Sequence, residues 1–416
     1  MLRSMLRSLL VALSFVPLAA PDAAIAQIAP PAIAARSWLL LDATSGQVLA
    51  AHDPDLKIEP ASLTKVMTAY IAFNALKEKR LAPDQRPAVS QAAYKAGGSR
   101  MFVDPLKPAT VDELLNGMIV QSGNDASIVL AEALGGSEET FAQQMNREAQ
   151  RLGMRTTQFR NATGLPDPEH YSTARDMATL AARLIADHPD YYPLYSKREY
   201  TFNNIRQPNR NRLLAIDPSV DGMKTGHTEA AGYCLIASAH RKQPGLDAER
   251  RLISVVIGAS SESARAIESQ KLLNYGFQNF DAVRVYAKGQ PAGSYQVWKG
   301  KADTIAGGFD SDLVVTVPRG QADKVKAEIE RVQPLVAPIA QGQKIGTLRV
   351  KVEDKLPPRC RKCNGVLKGD GVYFGEAIPT DVAEASVEAA LACDVMLICG
   401  TSAVVYPFAE LPRIAR

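Results

Sequence analysis

A Ser-x-x-Lys motif at the start of a long apolar segment constrains this chain more than any other feature. Pro60 stands just before Ser62 and Lys65, and no further proline follows until Pro83. Because proline pre-sets the backbone of a first helical turn, the sequence predicts that a helix begins here. Side chains three residues apart share one helix face, which places the hydroxyl of Ser62 beside the amine of Lys65. An amine that accepts the hydroxyl proton makes this serine a candidate nucleophile.

Two later motifs carry the residue types that would complete a serine acyl-transfer site. Ser122-Gly123-Asn124 follows an apolar segment that opens with a capping-box pattern. Gly123 is predicted to end that helix, so that Ser122 and Asn124 project from a loop. The second motif, Lys224-Thr225-Gly226, precedes a segment predicted to form a buried strand.

The order S-x-x-K, S-x-N and K-T-G is the signature of active-site serine penicillin-recognising enzymes. From residue 27 to about residue 350, the chain resembles a low-molecular-mass penicillin-binding protein, a serine-type D-alanyl-D-alanine carboxypeptidase. The segments 121–126, 205–211 and 220–226 are also similar to that family. The resemblance implies removal of the terminal D-alanine from peptidoglycan stem pentapeptides through an acyl-enzyme on Ser62. It further implies β-lactam inhibitors as partners and no cofactor.

The same resemblance implies an α+β fold of the β-lactamase and transpeptidase type, an antiparallel sheet flanked by helices. A predicted hairpin over residues 37–50, a mostly helical block over 112–185 and later strands agree with it. Short strands between glycine and proline turns predict a small all-β domain afterwards. The predicted division is a signal peptide over 1–26, the carboxypeptidase domain over 27–280, a truncated β domain over 281–353 and a truncated α/β tail over 354–416.

The resemblance assigns catalytic roles to five motif residues. Ser62 attacks the substrate carbonyl, and Lys65 acts as its base if burial and the nearby cation Lys224 lower the lysine pKa. Ser122 relays a proton to the leaving D-alanine, and Asn124 orients the substrate amide.

A second group of residues is predicted to bind the substrate. The backbone N–H groups of Ser62 and His227 are expected to form an oxyanion hole. A carboxypeptidase must also recognise a terminal carboxylate, for which a cation is the suitable partner. The candidates for this role are Lys224, Thr225 and Arg265, and Gly226 is also predicted to contact the substrate. The alternative for Arg265 is an ordinary exposed arginine on a helix.

The first 26 residues have the pattern of a signal peptide. Arg3 and Arg7 precede an apolar run over 9–20 and an A-x-A sequence over 24–26. The run is too short for an ordinary membrane span, although an uncleaved anchor is the alternative. We therefore predict export to the periplasm, with a mature chain that starts at Gln27. The net charge of +4 provides no basic surface for a nucleic-acid partner.

From about residue 356 the chain resembles the C-terminal part of a sirtuin, an NAD-dependent deacylase. The segments 358–365, 373–377 and 399–407 carry this similarity. Cys360 and Cys363 match half of the four-cysteine zinc site of that family, and two thiolates do not complete a tetrahedral site. A disulfide between them is the alternative in an oxidising compartment. The first C-x-x-C, the glycine-rich nucleotide loop and the catalytic histidine segment have no counterpart, which predicts an inert fragment.

The tail also stands where the carboxypeptidase family has an amphipathic membrane-anchoring helix. Such a helix needs a cationic face and bulky apolar residues, and the segment 383–391 consists mostly of Ala, Glu and Val. We therefore expect membrane association to be weak or absent.

Other activities remain open from the sequence. A DD-endopeptidase would use the same motifs on a different leaving group. A class A β-lactamase also shares them but uses a dedicated glutamate for deacylation. Here Gly123 stands where those enzymes have aspartate, and no E-x-x-x-N sequence follows at a suitable distance. NAD-dependent deacylation rests on the tail alone, and the full catalytic set disfavours a peptidoglycan-binding module without turnover.

Overall fold

The computed structural model describes residues 29–352. The predicted signal peptide and the sirtuin-like tail, including Cys360 and Cys363, lie outside these residues. Within the described range, the helices are α1 Lys65–Lys77, α2 Gln91–Tyr94, α3 Val111–Val120, α4 Asn124–Gly135, α5 Glu138–Leu152, α6 Ala174–Asp187, α7 Leu213–Ile216 and α8 Glu262–Asn279. The strands that precede α8 are β1 Ser37–Asp42, β2 Gln47–His52, β3 Glu199–Phe202, β4 Ile205–Pro208, β5 Val220–Thr228, β6 Gly232–Arg241 and β7 Arg250–Ala259.

The central element is a five-stranded antiparallel sheet in the order β2-β1-β7-β6-β5. Strand β7 shows how the sheet is buried on both faces, because successive side chains of a strand point in opposite directions. Ile253 and Val255 join the apolar cluster formed with α1 and α3 to α6. Leu252 and Val256 join a second cluster, to which α8 contributes Leu272. The predicted α+β fold, with helices on both faces of an antiparallel sheet, is confirmed.

Helix α1 lies in the interior of the helical layer. All of its residues except Asn74 and Lys77 are buried. It packs against α3, α4, α5 and α6. The apolar residues wrap around most of its circumference, which is the pattern of a helix that contacts neighbours on every side. This burial fixes the orientation of its N-terminal residues, among which is Lys65.

The chain continues into short strands after α8. They are β8 Phe280–Tyr286, β9 Pro291–Trp298, β10 Thr304–Gly308, β11 Leu313–Pro318, β12 Val325–Arg331, β13 Leu335–Val336 and β14 Gly346–Val352. They form a three-stranded sheet of β10, β9 and β13 and the two-stranded pairs β11–β8 and β12–β14. The predicted small β domain is thereby confirmed. None of the helices within residues 29–352 is long and apolar enough to cross a membrane.

A buried ion pair connects the central sheet to the pair β11–β8. The side chains of Arg250 and Asp42 are 1% and 0% exposed, with Nε of Arg250 2.8 Å from Oδ2 of Asp42. Thr316 on β11 donates its hydroxyl to the same carboxylate oxygen at 2.7 Å. Nη1 of Arg250 donates to the carbonyl of Phe280 at 2.6 Å. Charges withdrawn from water need such partners, because an unpaired buried carboxylate is strongly destabilising.

We predict that Arg250→Met lowers the free energy of unfolding by about 3–5 kcal/mol, because it leaves Asp42 buried without its cation. Urea denaturation of purified protein measures this loss. The control is Arg175→Met, which removes an exposed pair with Asp55 whose nitrogen and oxygen atoms are 2.7 Å apart. Exposed pairs contribute at most about 1 kcal/mol. A loss of the same small size for Arg250→Met would contradict the prediction.

Candidate active site

Ser62 and Lys65 lie together at the start of α1. Pro60 precedes a short 3-10 turn over Ala61–Thr64, and the α-helix begins at Lys65. Nζ of Lys65 lies 3.0 Å from Oγ of Ser62 and 2.5 Å from the carbonyl oxygen of Thr163. The pKa of Lys65 is lowered to about 7, chiefly by burial and also by the positive charge of Arg210, against the opposing charges of Asp125 and Glu138. The predicted pairing of Ser62 with Lys65 is therefore present, and the amine titrates near neutrality.

The Thr163 carbonyl is held by a turn that the sequence analysis did not assign to the site. Oδ1 of Asn161 accepts hydrogen bonds from the backbone N–H groups of Thr163 and Gly164 at 3.1 and 2.7 Å. Gly164 has φ +81°, and a Cβ there would lie 1.8 Å from the carbonyl oxygen of Ala61. Only glycine suits this position. The Asn-x-Thr-Gly pattern, typical of an Asx turn, was the available signal for this support of Lys65.

Ser122 meets the K-T-G motif at a second serine–lysine contact. Nζ of Lys224, on β5, donates to Oγ of Ser122 at 2.9 Å and to the carbonyl of Thr225 at 3.0 Å. Burial lowers the pKa of Lys224 well below its ordinary value, and the charges of Lys65, Arg210 and Arg265 lower it further. The repulsion between Lys65 and Lys224 disfavours the charged form of both amines, and Arg210 is a further cation that lowers both pKa values.

The prediction that Ser122 and Asn124 lie in a loop after α3 is confirmed for Ser122, which lies in the connection 121–123, and is wrong for Asn124, which begins α4. The helix ends at Val120, and Ser122 itself takes the left-handed conformation, with φ +70°. Gly123 precedes α4, whose first residue is Asn124. Because Ser122 has a left-handed backbone in the short connection between two buried helices, the geometry of this turn directs its hydroxyl.

Asn124 is fixed by a neighbouring loop. Its Nδ2 donates to the carbonyl of Gly97 at 2.7 Å, and its backbone N–H donates to the carbonyl of Ser99 at 2.7 Å. A Cβ at Gly98 would lie 2.8 Å from Nδ2 of Asn124, so the loop backbone approaches this side chain as closely as a glycine permits. The amide of Asn124 is thus held in one orientation beside Ser122.

Strand β5 brings the remaining predicted residues to the nucleophile. A Cβ on Gly226 would lie 3.1 Å from the carbonyl oxygen of Pro60 and 3.3 Å from the backbone nitrogen of Leu63. Gly226 therefore lies in van der Waals contact with the turn that carries Ser62. Thr225 is buried beside it, and His227 is exposed.

Arg265 is buried, so its alternative interpretation as an exposed helix arginine is wrong. It is 3% exposed on α8, and its Nη1 donates to the carbonyl of Gly226 at 3.2 Å. Its guanidinium lies 5.6 Å from the ring centroid of Tyr233, against which His227 also packs, with 4.1 Å between their ring centroids. Arg265 thus adds a cation directly behind the K-T-G strand.

Arg210 is a further cation that the sequence analysis did not assign. It is exposed, and its charge lowers the pKa values of Lys65, Lys224 and Arg265. Arg210 belongs to the segment 205–211, which is similar to the family. That similarity was the available signal, although it assigned no role to Arg210. Arg210 and Arg265 therefore add permanent positive charge around the two serine–lysine pairs, and this arrangement favours an anionic ligand.

His170 lies buried beneath the nucleophile turn. Its Nδ1 accepts from the backbone N–H of Arg160 at 3.2 Å, so the proton lies on Nε2, which donates to Oγ1 of Thr64 at 2.8 Å. Burial lowers the pKa of His170 to about 4, which keeps the ring neutral at physiological pH. Within residues 29–352, no cluster of three or more His, Cys, Asp or Glu side chains could hold a metal ion.

Comparison with known proteins agrees with this geometry. A family model described as D-alanyl-D-alanine carboxypeptidase matches residues 24–261. A model described as the C-terminal domain of penicillin-binding protein 5 matches residues 280–358. A Sir2 family model matches residues 339–407, which overlap the end of the second match.

Relatives and solved structures cover most of the chain. D-alanyl-D-alanine carboxypeptidase DacC of Escherichia coli K12 is 41% identical over 362 residues, which cover 85% of this chain and 89% of that protein. DacA of Haemophilus influenzae is 39% identical over 79% of this chain and 84% of that protein. Penicillin-binding protein 5 from Haemophilus influenzae superimposes with a TM-score of 0.75 at 40% identity, covering 79% of this chain and 95% of that chain. This chain therefore belongs to the D-alanyl-D-alanine carboxypeptidase family of serine-type, penicillin-binding hydrolases.

Proposed function

We propose that the chain removes the terminal D-alanine from peptidoglycan stem pentapeptides through an acyl-enzyme on Ser62. The observation that carries this proposal is the pair of serine–lysine contacts, 3.0 Å for Ser62 with Lys65 and 2.9 Å for Ser122 with Lys224. Both lysines are buried and have lowered pKa values, as a base that works near neutral pH requires.

The K-T-G strand and the arginines near it bind the terminal carboxylate of the substrate. Thr225 offers a hydroxyl, and Arg265 and Arg210 supply permanent charge. A bound carboxylate favours the charged form of Lys224, because an opposite charge nearby raises the pKa of an amine. The carboxylate end of the substrate therefore lies along β5, and the acyl portion extends toward Asn124.

Acylation follows from this placement. Oγ of Ser62 attacks the carbonyl carbon of the penultimate D-alanine, and its proton passes to the neutral amine of Lys65. The backbone N–H groups of Ser62 and His227 stabilise the oxyanion. When the tetrahedral intermediate collapses, the C–N bond breaks, and Ser122 passes a proton to the leaving amine of D-alanine. Water then hydrolyses the Ser62 ester and releases the shortened peptide.

A β-lactam would also form an ester with Ser62, and hydrolysis of that ester would be slow. The opened lactam ring stays attached to the acyl group, so the leaving amine does not depart. The chain has Gly123 where class A β-lactamases carry aspartate, and no E-x-x-x-N sequence follows at the distance that those enzymes have. The ester formed with penicillin should therefore persist.

We also propose that residues 1–26 direct export to the periplasm and that residues 354–416 add no deacylase activity. The basic start, apolar run and A-x-A sequence support the first proposal. The single C-x-x-C and the missing glycine-rich loop support the second.

One sample tests these proposals together. Protein isolated from the periplasm should have the mass of a chain that begins at Gln27 and should gain one benzylpenicillin. It should release D-alanine from a stem pentapeptide, and calorimetric titration with NAD should show no binding. A sample that neither gains penicillin nor releases D-alanine would refute the enzymatic proposal. Micromolar NAD affinity would refute the proposal for the tail.

A further inference from the structure

The loop over residues 97–103 is tied to the catalytic centre. Besides its contacts with Asn124, it is held by the carboxylate of Asp125. That carboxylate accepts hydrogen bonds from the backbone N–H groups of Met101, Phe102 and Val103 at 2.9, 2.7 and 3.1 Å. Three successive amides on one carboxylate fix the backbone of this segment.

The carbonyl of Arg100 is anchored as well. It accepts from Nε2 of Gln121 at 2.5 Å and from Nε2 of Gln207 at 3.3 Å. Gln121 directly precedes Ser122, and Gln207 lies on β4. The position of Arg100 is therefore set relative to the second catalytic serine.

Half-buried Arg100 and exposed Phe102 of this loop form a cluster with the exposed ring of Tyr94, the last residue of α2. Phe102 has φ +67° and is 46% exposed, and Tyr94 is 43% exposed. The guanidinium of Arg100 lies 5.3 Å from the ring centroid of Phe102 and 6.0 Å from that of Tyr94. Rings held outward beside an active site are suited to contact a ligand.

Arg100 has hydrogen-bonding capacity that the described part of the chain does not use. Its Nη2 donates to the carbonyl of Tyr94 at 2.6 Å, whereas its Nε is buried without a partner. Among residues 29–352, no carboxylate forms an ion pair with it. A planar guanidinium whose charge is not neutralised matches a carboxylate in shape and charge.

We propose that Tyr94, Arg100 and Phe102 form an acyl-side subsite that binds a carboxylate on the portion of the substrate retained in the acyl-enzyme. The inference rests on the proposed function, which places the terminal carboxylate along β5 and the acyl portion toward Asn124. The subsite selects among stem peptides and β-lactams by the charge of the acyl side chain.

Two penicillins that differ by one carboxylate test the subsite. Carbenicillin carries a carboxylate on its phenylacetyl side chain where benzylpenicillin has hydrogen. The measured quantity is the ratio of their second-order acylation rate constants, obtained by stopped flow. Arg100→Leu should lower the ratio of carbenicillin to benzylpenicillin about five- to tenfold, because it removes a charge-assisted hydrogen bond. In the parent enzyme the ratio should fall with added salt.

Lys95→Leu is the matched control, because it removes an exposed cation next to Tyr94 without touching the cluster. It should leave the ratio unchanged. If Arg100→Leu slows both penicillins equally, or if Lys95→Leu changes the ratio as much, the subsite is refuted. Absence of any adduct with either penicillin would instead refute the proposed function, and the subsite with it.

Discussion

Ser62→Ala should abolish the penicillin adduct and lower the rate of D-alanine release by about four orders of magnitude or more, as the loss of a catalytic serine does elsewhere. The alanine removes the only atom that forms the ester and leaves the surrounding cations in place. Ser62 is partly exposed at a turn, so its replacement should not disturb the core. Intact mass after incubation with benzylpenicillin, followed by peptide mapping of the parent enzyme, measures the effect.

Ser122→Ala is the matched control, because it removes the other serine of the centre and its contact with Lys224. This variant should still acquire the adduct on the peptide that contains Ser62, at a reduced rate. An adduct mapped to Ser122 in the parent enzyme, or an undiminished adduct in Ser62→Ala, would show that the nucleophile has been misassigned.

The sequence predicted those parts of the structure that depend on local chemistry. The capping box at Thr110 and Glu113 is present with both of its hydrogen bonds. This feature could be predicted because a capping box is encoded within a few consecutive residues.

The order of the central strands could not be predicted in this way. Strand β1 pairs with β7, which joins Trp38 to Val256, residues far apart in the chain. Such pairing depends on which apolar faces are buried together in the folded state, and no local signal specifies it. Resemblance to a family supplied that information instead.

In the candidate site, too, the residues of short local motifs could be predicted, whereas the contributions from distant parts of the chain could not. The three motifs named both serines and both lysines, because each motif is short and appears in a recognisable order. The Thr163 carbonyl reaches Lys65 across 98 positions of sequence, and Arg210 acts through its charge alone. Neither contribution leaves a pattern near Lys65, so the folded structure was needed to connect the turn at Asn161 and the charge of Arg210 with this lysine.

The role of Lys65 as base makes the acylation rate dependent on pH. Lys65 is buried at the start of α1, and this burial is the main cause that lowers its pKa to about 7. Below that pH the amine holds its proton and does not accept one from Ser62, whereas above it the free amine predominates. The acylation rate constant for benzylpenicillin should therefore fall about tenfold for each pH unit below 7 and level off above it.

Lys65→Met should lower that rate constant by about 10²- to 10⁴-fold and remove its dependence on pH near 7, because general base catalysis is lost while the helix keeps a long side chain. Lys77→Met, at the exposed end of the same helix, removes an equal charge and should retain both the rate and the pH profile of the parent. Stopped-flow acylation between pH 5 and pH 9 distinguishes the three proteins. A parent profile that is flat across this range, or a Lys65→Met profile that still rises near pH 7, would assign the base to another group, such as Lys224, which contacts Ser122.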